Sequence, residues 1–318
     1  MLTVQKFGGS SVADAGRIRR VADIIAEART AGSDVVAVLS AAGDTTDELT
    51  DRAAEISEFP PPRELDALLS TGELQSVALM SMQLEKLGVP ALSLSGRQAG
   101  IITDENHGSA RILNIKTKRI TDELARGRVV IVAGFQGIDS SDNITTLGRG
   151  GSDTTAVALA AALKADKCEI YSDVDGIFTA DPRLVTAAKK LPEIDYTDML
   201  NLAKGGSQVM HSRAVEIAMR YNMEVRMLSS FVKTEGTYMR HLKFRPALCG
   251  ITRDKAENKI SLVGREADIT RLCEAVALLK ENGIAVISAE VHQGVCSVTT
   301  DPRFVLPALQ LLHRHFFD

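Results

Sequence analysis

The stretch Thr145-Thr146-Leu147-Gly148-Arg149-Gly150-Gly151-Ser152-Asp153-Thr154-Thr155 decides how this chain is read. It follows an all-apolar run at 129–133 and leads into an Ala-rich segment at 156–165. The run reads as a buried strand and the segment as a helix, so the glycines fall at a strand-to-helix turn. Glycines let backbone approach a ligand closely, and a helix start presents N–H groups with no partner inside the helix. With an arginine, an aspartate and several hydroxyls beside them, the turn suits an anion, either phosphate or carboxylate. A glycine turn capped by Ser152 accounts for the same residues without a ligand, so the neighbouring segments must decide.

Outward from this stretch the pattern alternates. Short apolar runs at 35–39, 91–94, 129–133 and 169–171 are separated by helical segments at 15–29, 72–87, 110–126 and 156–165. Strands apolar at nearly every position are buried on both faces, which predicts an α/β fold with a mostly parallel sheet sandwiched by helices. Pro60-Pro61-Pro62 marks a loop, because the alternation resumes directly after it. The rhythm breaks in a polar, basic stretch at 233–245. This places one domain at 1–235 and a second at 245–318. Within the second, 259–263, 269–282, 284–291, 295–299 and 302–317 read as strand, helix, strand, strand, helix, a small α+β module.

Composition excludes several functions. A length of 318 residues with 45% hydrophobic content accommodates roughly two cores. The 37 basic and 41 acidic residues are interspersed, with a net charge of -4, so no footprint for nucleic acid or an anionic membrane is expected. Cys168, Cys249, Cys273 and Cys296 lie far apart, and the six histidines form no HExxH or Cys/His spacing, which predicts reduced thiols and no zinc site. No apolar run approaches membrane-spanning length and the first residues read as a strand, so a cytoplasmic location is expected.

A second glycine loop follows the first predicted strand: Lys6-Phe7-Gly8-Gly9-Ser10-Ser11. Its amides and lysine suit phosphate, yet neither GxxxxGK[ST] nor GxGxxG spacing is present, so the P-loop and dinucleotide-binding mechanisms do not apply. The two loops and five further segments resemble the aspartokinases within the amino acid kinase family. Those segments are 40–47 (SAAGDTTD), Ser70-Thr71-Gly72-Glu73, Gly134-Phe135-Gln136-Gly137, 172–183 (SDVDGIFTADPR) and Ser229-Ser230-Phe231. They occur in the family's order over roughly residues 1–240.

The resemblance implies ATP-dependent phosphorylation of the L-aspartate side-chain carboxylate, with Mg2+ held mainly by ATP rather than by protein side chains. It assigns catalysis to Lys6, organised by Asp153. Substrate binding falls to Ser40, Thr46, Glu73, Phe135, Arg149 and Ser152, with Arg149 on a carboxylate and Glu73 on the ammonium. Nucleotide binding falls to Lys6, Gly8, Gly9, Ser10, Ser172, Asp173, Phe178, Asp181 and Arg183, and to Gln208 where many relatives carry lysine. Aspartate's β-carboxylate is already ionised at neutral pH, so no general base is needed; charge neutralisation is. The duller readings stand beside these: Thr46 and Ser152 as caps, Glu73 as a first-turn acid, and His211 as a structural histidine. Asp181-Pro182-Arg183 recurs as Asp301-Pro302-Arg303, where it reads as a helix start. Phosphorylation of another acid such as N-acetylglutamate, or a catalytically weak amino-acid-binding regulatory role, also fits the residues.

The C-terminal module resembles a single, truncated ACT-like domain whose missing fourth strand is expected after its last helix. It is expected to pair copies of the chain into a homodimer or higher homo-oligomer, with little or no lysine or threonine feedback.

Overall fold

The computed structural model describes residues 1–207 and 209–318, so Gln208 lies outside the described residues. In chain order the elements are β1 (Leu2–Phe7), α1 (Ala15–Thr30), β2 (Asp34–Leu39), α2 (Thr45–Ile56), α3 (Pro62–Leu69), α4 (Thr71–Lys86), β3 (Ala91–Leu94), β4 (Ile101–Thr103) and β5 (Ile112–Ile115). There follow α5 (Lys118–Ala125), β6 (Val129–Ala133), β7 (Gln136–Ile138), β8 (Ile144–Thr146), α6 (Gly151–Leu163), β9 (Lys167–Ser172), β10 (Glu193–Ile194), α7 (Tyr196–Lys204), α8 (Ser212–Tyr221) and β11 (Val225–Ser229). The chain closes with β12 (Thr237–Met239), β13 (Gly250–Asp254), β14 (Lys259–Val263), α9 (Ile269–Glu281), β15 (Val286–His292), β16 (Val295–Thr300) and α10 (Val305–Phe317). It divides into two compact units, Met1–Asp175 with Met223–Thr234, and Gly176–Asn222 with Glu235–Asp318. Residues 176–222 therefore cluster with the C-terminal part.

In the first unit six strands run parallel in the order β11-β9-β1-β2-β6-β3. Strand β6, VVIVA, is buried at every position, as expected of a strand covered on both faces. Alternation sorts the side chains. Phe7, Val35, Ala37, Leu39, Val129 and Ile131 face a layer made by α1 and α4, where they pack with Val21, Ile25, Val77 and Met80. The alternate positions face α6, which packs on β1 and β9. Helix α6 is buried continuously from Gly151 to Ala160, the mark of an interior helix rather than an amphipathic surface one.

Four short strands form a second sheet in the same unit, in the order β5-β4-β7-β8. This corrects the expectation of one helix over 110–126. Ile112–Ile115 instead pairs antiparallel with β4, and α5 begins only at Lys118. A four-residue strand depends on a partner distant in sequence, which local periodicity does not register.

The second unit contains the parallel pair β10 and β12 and an antiparallel sheet in the order β13-β14-β16-β15. Helices α9 and α10 close its core of Ile251, Ile260, Leu262, Leu279, Val298 and Leu312. This is the ACT-like α+β module, with one correction. Its fourth strand is β13, ahead of β14 and paired with it from Gly250 to Asp254, so no strand after α10 is needed to complete four.

Candidate functional site

The site of the first unit forms at the carboxyl ends of β1, β2 and β6, where open α/β sheets place their ligands. Phe7 turns toward the α1 and α4 layer, so Lys6, its neighbour in β1, must turn toward α6. There its Nζ lies 2.7 Å from Asp153 Oδ1, and both residues are 8% exposed. That oxygen has no aligned hydrogen bond, so charge holds the pair. Gly8 follows directly, and a Cβ there would sit 3.4 Å from Lys6 Nζ. A side chain there would rest directly against the ammonium.

The Gly8 amide departs from expectation. It donates to the Tyr171 carbonyl at 3.2 Å, so it is not available to phosphate. Gly9 and Ser10 instead open a 3-10 helix, Gly9–Val12, whose leading N–H groups have no partner within it. Gly9 is obligatory for another reason. A Cβ would fall 2.7 Å from the Ala41 carbonyl, in the loop after β2 that carries Ser40.

The opening stretch forms β8, a four-residue hoop and the start of α6. Gly148 (φ 74°) and Gly150 (φ 67°) both take the left-handed conformation that glycine tolerates. Gly150 is the N-cap of α6 and no side chain caps it, so the cap reading of Ser152 fails. Ser152 is instead buried in the first turn, with its Oγ 2.6 Å from where a Cβ on Gly134 would lie. Phe135, also left-handed at φ 68°, donates its N–H to Thr155 Oγ1 at 3.1 Å and accepts from Leu147 N at 2.8 Å. A non-glycine residue held there carries backbone strain that the surrounding bonds sustain. Arg149 stands exposed on the hoop with no hydrogen-bond or ion-pair partner among the described residues.

Glu73 lies in the first turn of α4 yet is only 3% exposed. Its Oε1 accepts from Ala41 N at 3.1 Å, while its Oε2 is buried with no hydrogen-bond partner. Burial raises its pKa to about 7, against the opposing pull of the Ala41 N–H. A helix-dipole role does not require such depth. Thr46 does not cap α2, whose N-cap is Asp44; it is half-buried in the first turn, as is Ser40 at the end of β2.

On the nucleotide side, Ser172 Oγ exchanges 3.3 Å bonds with the Val174 backbone, and Asp173 is exposed. Phe178, Asp181 and Arg183 belong to the second unit. Phe178 bridges Lys190. Asp181 accepts from Arg183 Nε at 3.0 Å and Nη2 at 2.9 Å, which holds its carboxyl below the ordinary range. His211 is the N-cap of α8 and accepts from Arg213 N at 3.4 Å, the structural use expected of it.

Asp66 lies in none of the family's ordered segments, yet it is 1% exposed and accepts from the Thr146 N–H at 3.0 Å. The available signal was an acid on the inward stripe of α3, three residues before buried Leu69.

The sequence pattern of the amino acid kinase family matches residues 1–229. The chain belongs to the amino acid kinase family. Similar proteins include aspartokinases. It is 52% identical to the aspartokinase of Mycolicibacterium smegmatis over 269 residues, covering 83% of this chain and 64% of that protein, so it spans slightly less than two thirds of that relative. It is 47% identical to the aspartokinase of Corynebacterium efficiens, covering 98% of this chain and 77% of the relative. The fold matches the crystal structure of E. coli aspartokinase III in complex with aspartate and ADP, with a TM-score of 0.86 at 21% identity over all of both chains.

Proposed function

We propose that this amino acid kinase family member transfers the γ-phosphoryl group of ATP to the β-carboxylate of L-aspartate. A carboxylate oxygen bonds to the γ-phosphorus as its bond to the bridging oxygen breaks, ADP leaves, and no proton moves. The observation that carries the reading is Glu73. A buried carboxylate with one oxygen bonded and the other unpartnered is a receptor for a substrate ammonium, which an N-acylated amino acid lacks.

In this reading Arg149 takes a substrate carboxylate with its fork of donors. Ser152, Thr46, Ser40 and Phe135 complete the amino acid side. Lys6 neutralises the transferring group, and Asp153 holds it in place. Mg2+, bound with the nucleotide, supplies further charge neutralisation. Among the described residues no three His, Cys, Asp or Glu side chains converge into a group that could hold a metal ion. The nucleotide roles of Gly9, Ser10, Ser172 and Asp173, and those of Phe178, Asp181, Arg183 and Gln208, rest on the family resemblance.

Residues 1–235 are proposed as the catalytic part and 245–318 as an ACT-like module that pairs copies of the chain. The exposed edge strand β15 supports the pairing, since such an edge invites another chain. Among the described residues no helix is long and apolar enough to cross a membrane. With three of four cysteines buried and all four free, this fits a cytoplasmic setting.

Purified protein, ATP and Mg2+ are supplied with L-aspartate or N-acetylglutamate, and acyl phosphate is trapped with hydroxylamine. Aspartyl hydroxamate is the expected product. N-acetylglutamyl hydroxamate, or no product, refutes the reading.

A further inference from the structure

Helix α3 carries Asp66 inward, at 1% exposure. A carboxylate at that depth persists only when donors surround it. Thr146 donates twice, from its N–H to Oδ2 at 3.0 Å and from its hydroxyl to Oδ1 at 2.5 Å. The Gly108 N–H lies 3.1 Å from both oxygens. His107 Nδ1 stands 2.8 Å from Oδ2, and toward an ionised carboxylate that nitrogen carries the proton.

These donors surround the hoop that bears Arg149. Thr146 ends β8, and α6 begins at Gly151, so only four residues span the gap. Gly148 lies so close to the neighbouring loop that a Cβ on it would fall 2.8 Å from the Gly108 carbonyl, and Ala110 N donates to the Thr146 carbonyl at 2.9 Å. Asp66 therefore anchors one post of the hoop directly at Thr146 and again through Gly108. The other post is buried α6. Helix α3 then passes through Ser70 into α4, which carries Glu73. The Ser70 carbonyl also accepts from Gln136 Nε2 at 2.9 Å, next to Phe135. One helix pair thus supports both groups that would read the substrate.

We propose that Asp66 is a positioning residue for substrate selection: through Thr146 and Gly108 it sets the Arg149 hoop relative to Glu73, and hence the separation at which an amino acid's carboxylate and ammonium are recognised. The inference rests on the aspartate reading of Arg149 and Glu73 above.

The test uses the full chain and the hydroxamate assay with Asp66→Asn, Thr146→Val and Thr146→Ser. Asp66→Asn and Thr146→Val are expected to raise the aspartate KM about tenfold or more, because each removes a buried charge-assisted bond. kcat and the ATP KM are expected to change by less than about threefold. Thr146→Ser retains the hydroxyl and is expected to restore the wild-type KM. If Asp66→Asn does not fold, Thr146→Val decides, since it leaves the carboxylate in place. A wild-type protein that makes no aspartyl hydroxamate overturns the reading of the site and this inference with it. An active wild type beside a Thr146→Val variant with unchanged melting temperature and unchanged aspartate KM overturns the inference alone.

Discussion

The two cations proposed for the site differ in how the fold holds them. Lys6 is 8% exposed and paired with Asp153 at 2.7 Å; Arg149 is exposed on a glycine hoop and has no partner among the described residues. A buried, pre-paired charge spends no reorganisation when the reaction's charge develops, whereas a free guanidinium must be ordered by what it binds. On the proposed reading the difference implies a division of labour: Lys6 for the transition state, Arg149 for the ground-state complex.

The largest expected effect tests the first half of that division. Lys6→Ala is expected to lower kcat on the order of 100- to 1,000-fold, as loss of a preorganised electrostatic group does, with the aspartate KM nearly unchanged. A rise in KM at constant kcat would break the comparison. Arg149→Ala is next, with the aspartate KM expected to rise roughly 10- to 100-fold from loss of a charged hydrogen-bonded contact. Arg149→Lys, lacking the fork, should recover only part of it. Initial-rate kinetics varying aspartate and ATP separately distinguish the two outcomes.

Glu73 sharpens the comparison from the side of opposite charge. Its pKa of about 7 in the free protein must fall when an ammonium binds, so binding releases a proton below that pH. The aspartate KM is accordingly expected to climb as pH drops below about 7, approaching tenfold per unit, and Glu73→Gln should flatten that slope. A wild-type KM independent of pH between 5.5 and 7.5, roughly the window around the Glu73 titration, would remove Glu73 from ammonium recognition.

The smallest effect concerns the ligand-free protein. A carboxyl whose folded pKa is raised contributes stability below its unfolded value of 4.5 and loses it as pH rises through about 7. Glu73→Gln, with nothing to ionise, is therefore expected to be more stable than wild type at pH 8 by about 1 to 3 kcal/mol, the shift from 4.5 to about 7 setting the upper end. Denaturant titrations at pH 5 and pH 8 would show a gap that is much wider at the higher pH.

Much of this arrangement was legible in the sequence. The parallel strands are runs such as Val129-Val130-Ile131-Val132-Ala133, whose apolarity at every position already states burial on both faces. What was not legible has a common cause. β5, β13 and the unavailability of the Gly8 amide each depend on a partner elsewhere in the chain: β4, β14 and the Tyr171 carbonyl. The repeated tripeptide makes the same point in reverse. Asp181-Pro182-Arg183 and Asp301-Pro302-Arg303 fold into the same arginine fork on an aspartate, with Nε bonds of 3.0 and 2.9 Å. Local sequence specifies local geometry without stating its use.

The residues themselves therefore settled the class of fold, the two glycine loops and the family's ordered segments, because these depend on periodicity and on backbone freedom carried by individual residues. Only the tertiary structure decided that Lys6 meets Asp153, that Glu73 is left with one bare oxygen, and that Asp66 grips the Arg149 hoop. Burial and charge pairing arise between segments, and the free energy of a carboxylate is set by the neighbours the fold brings to it.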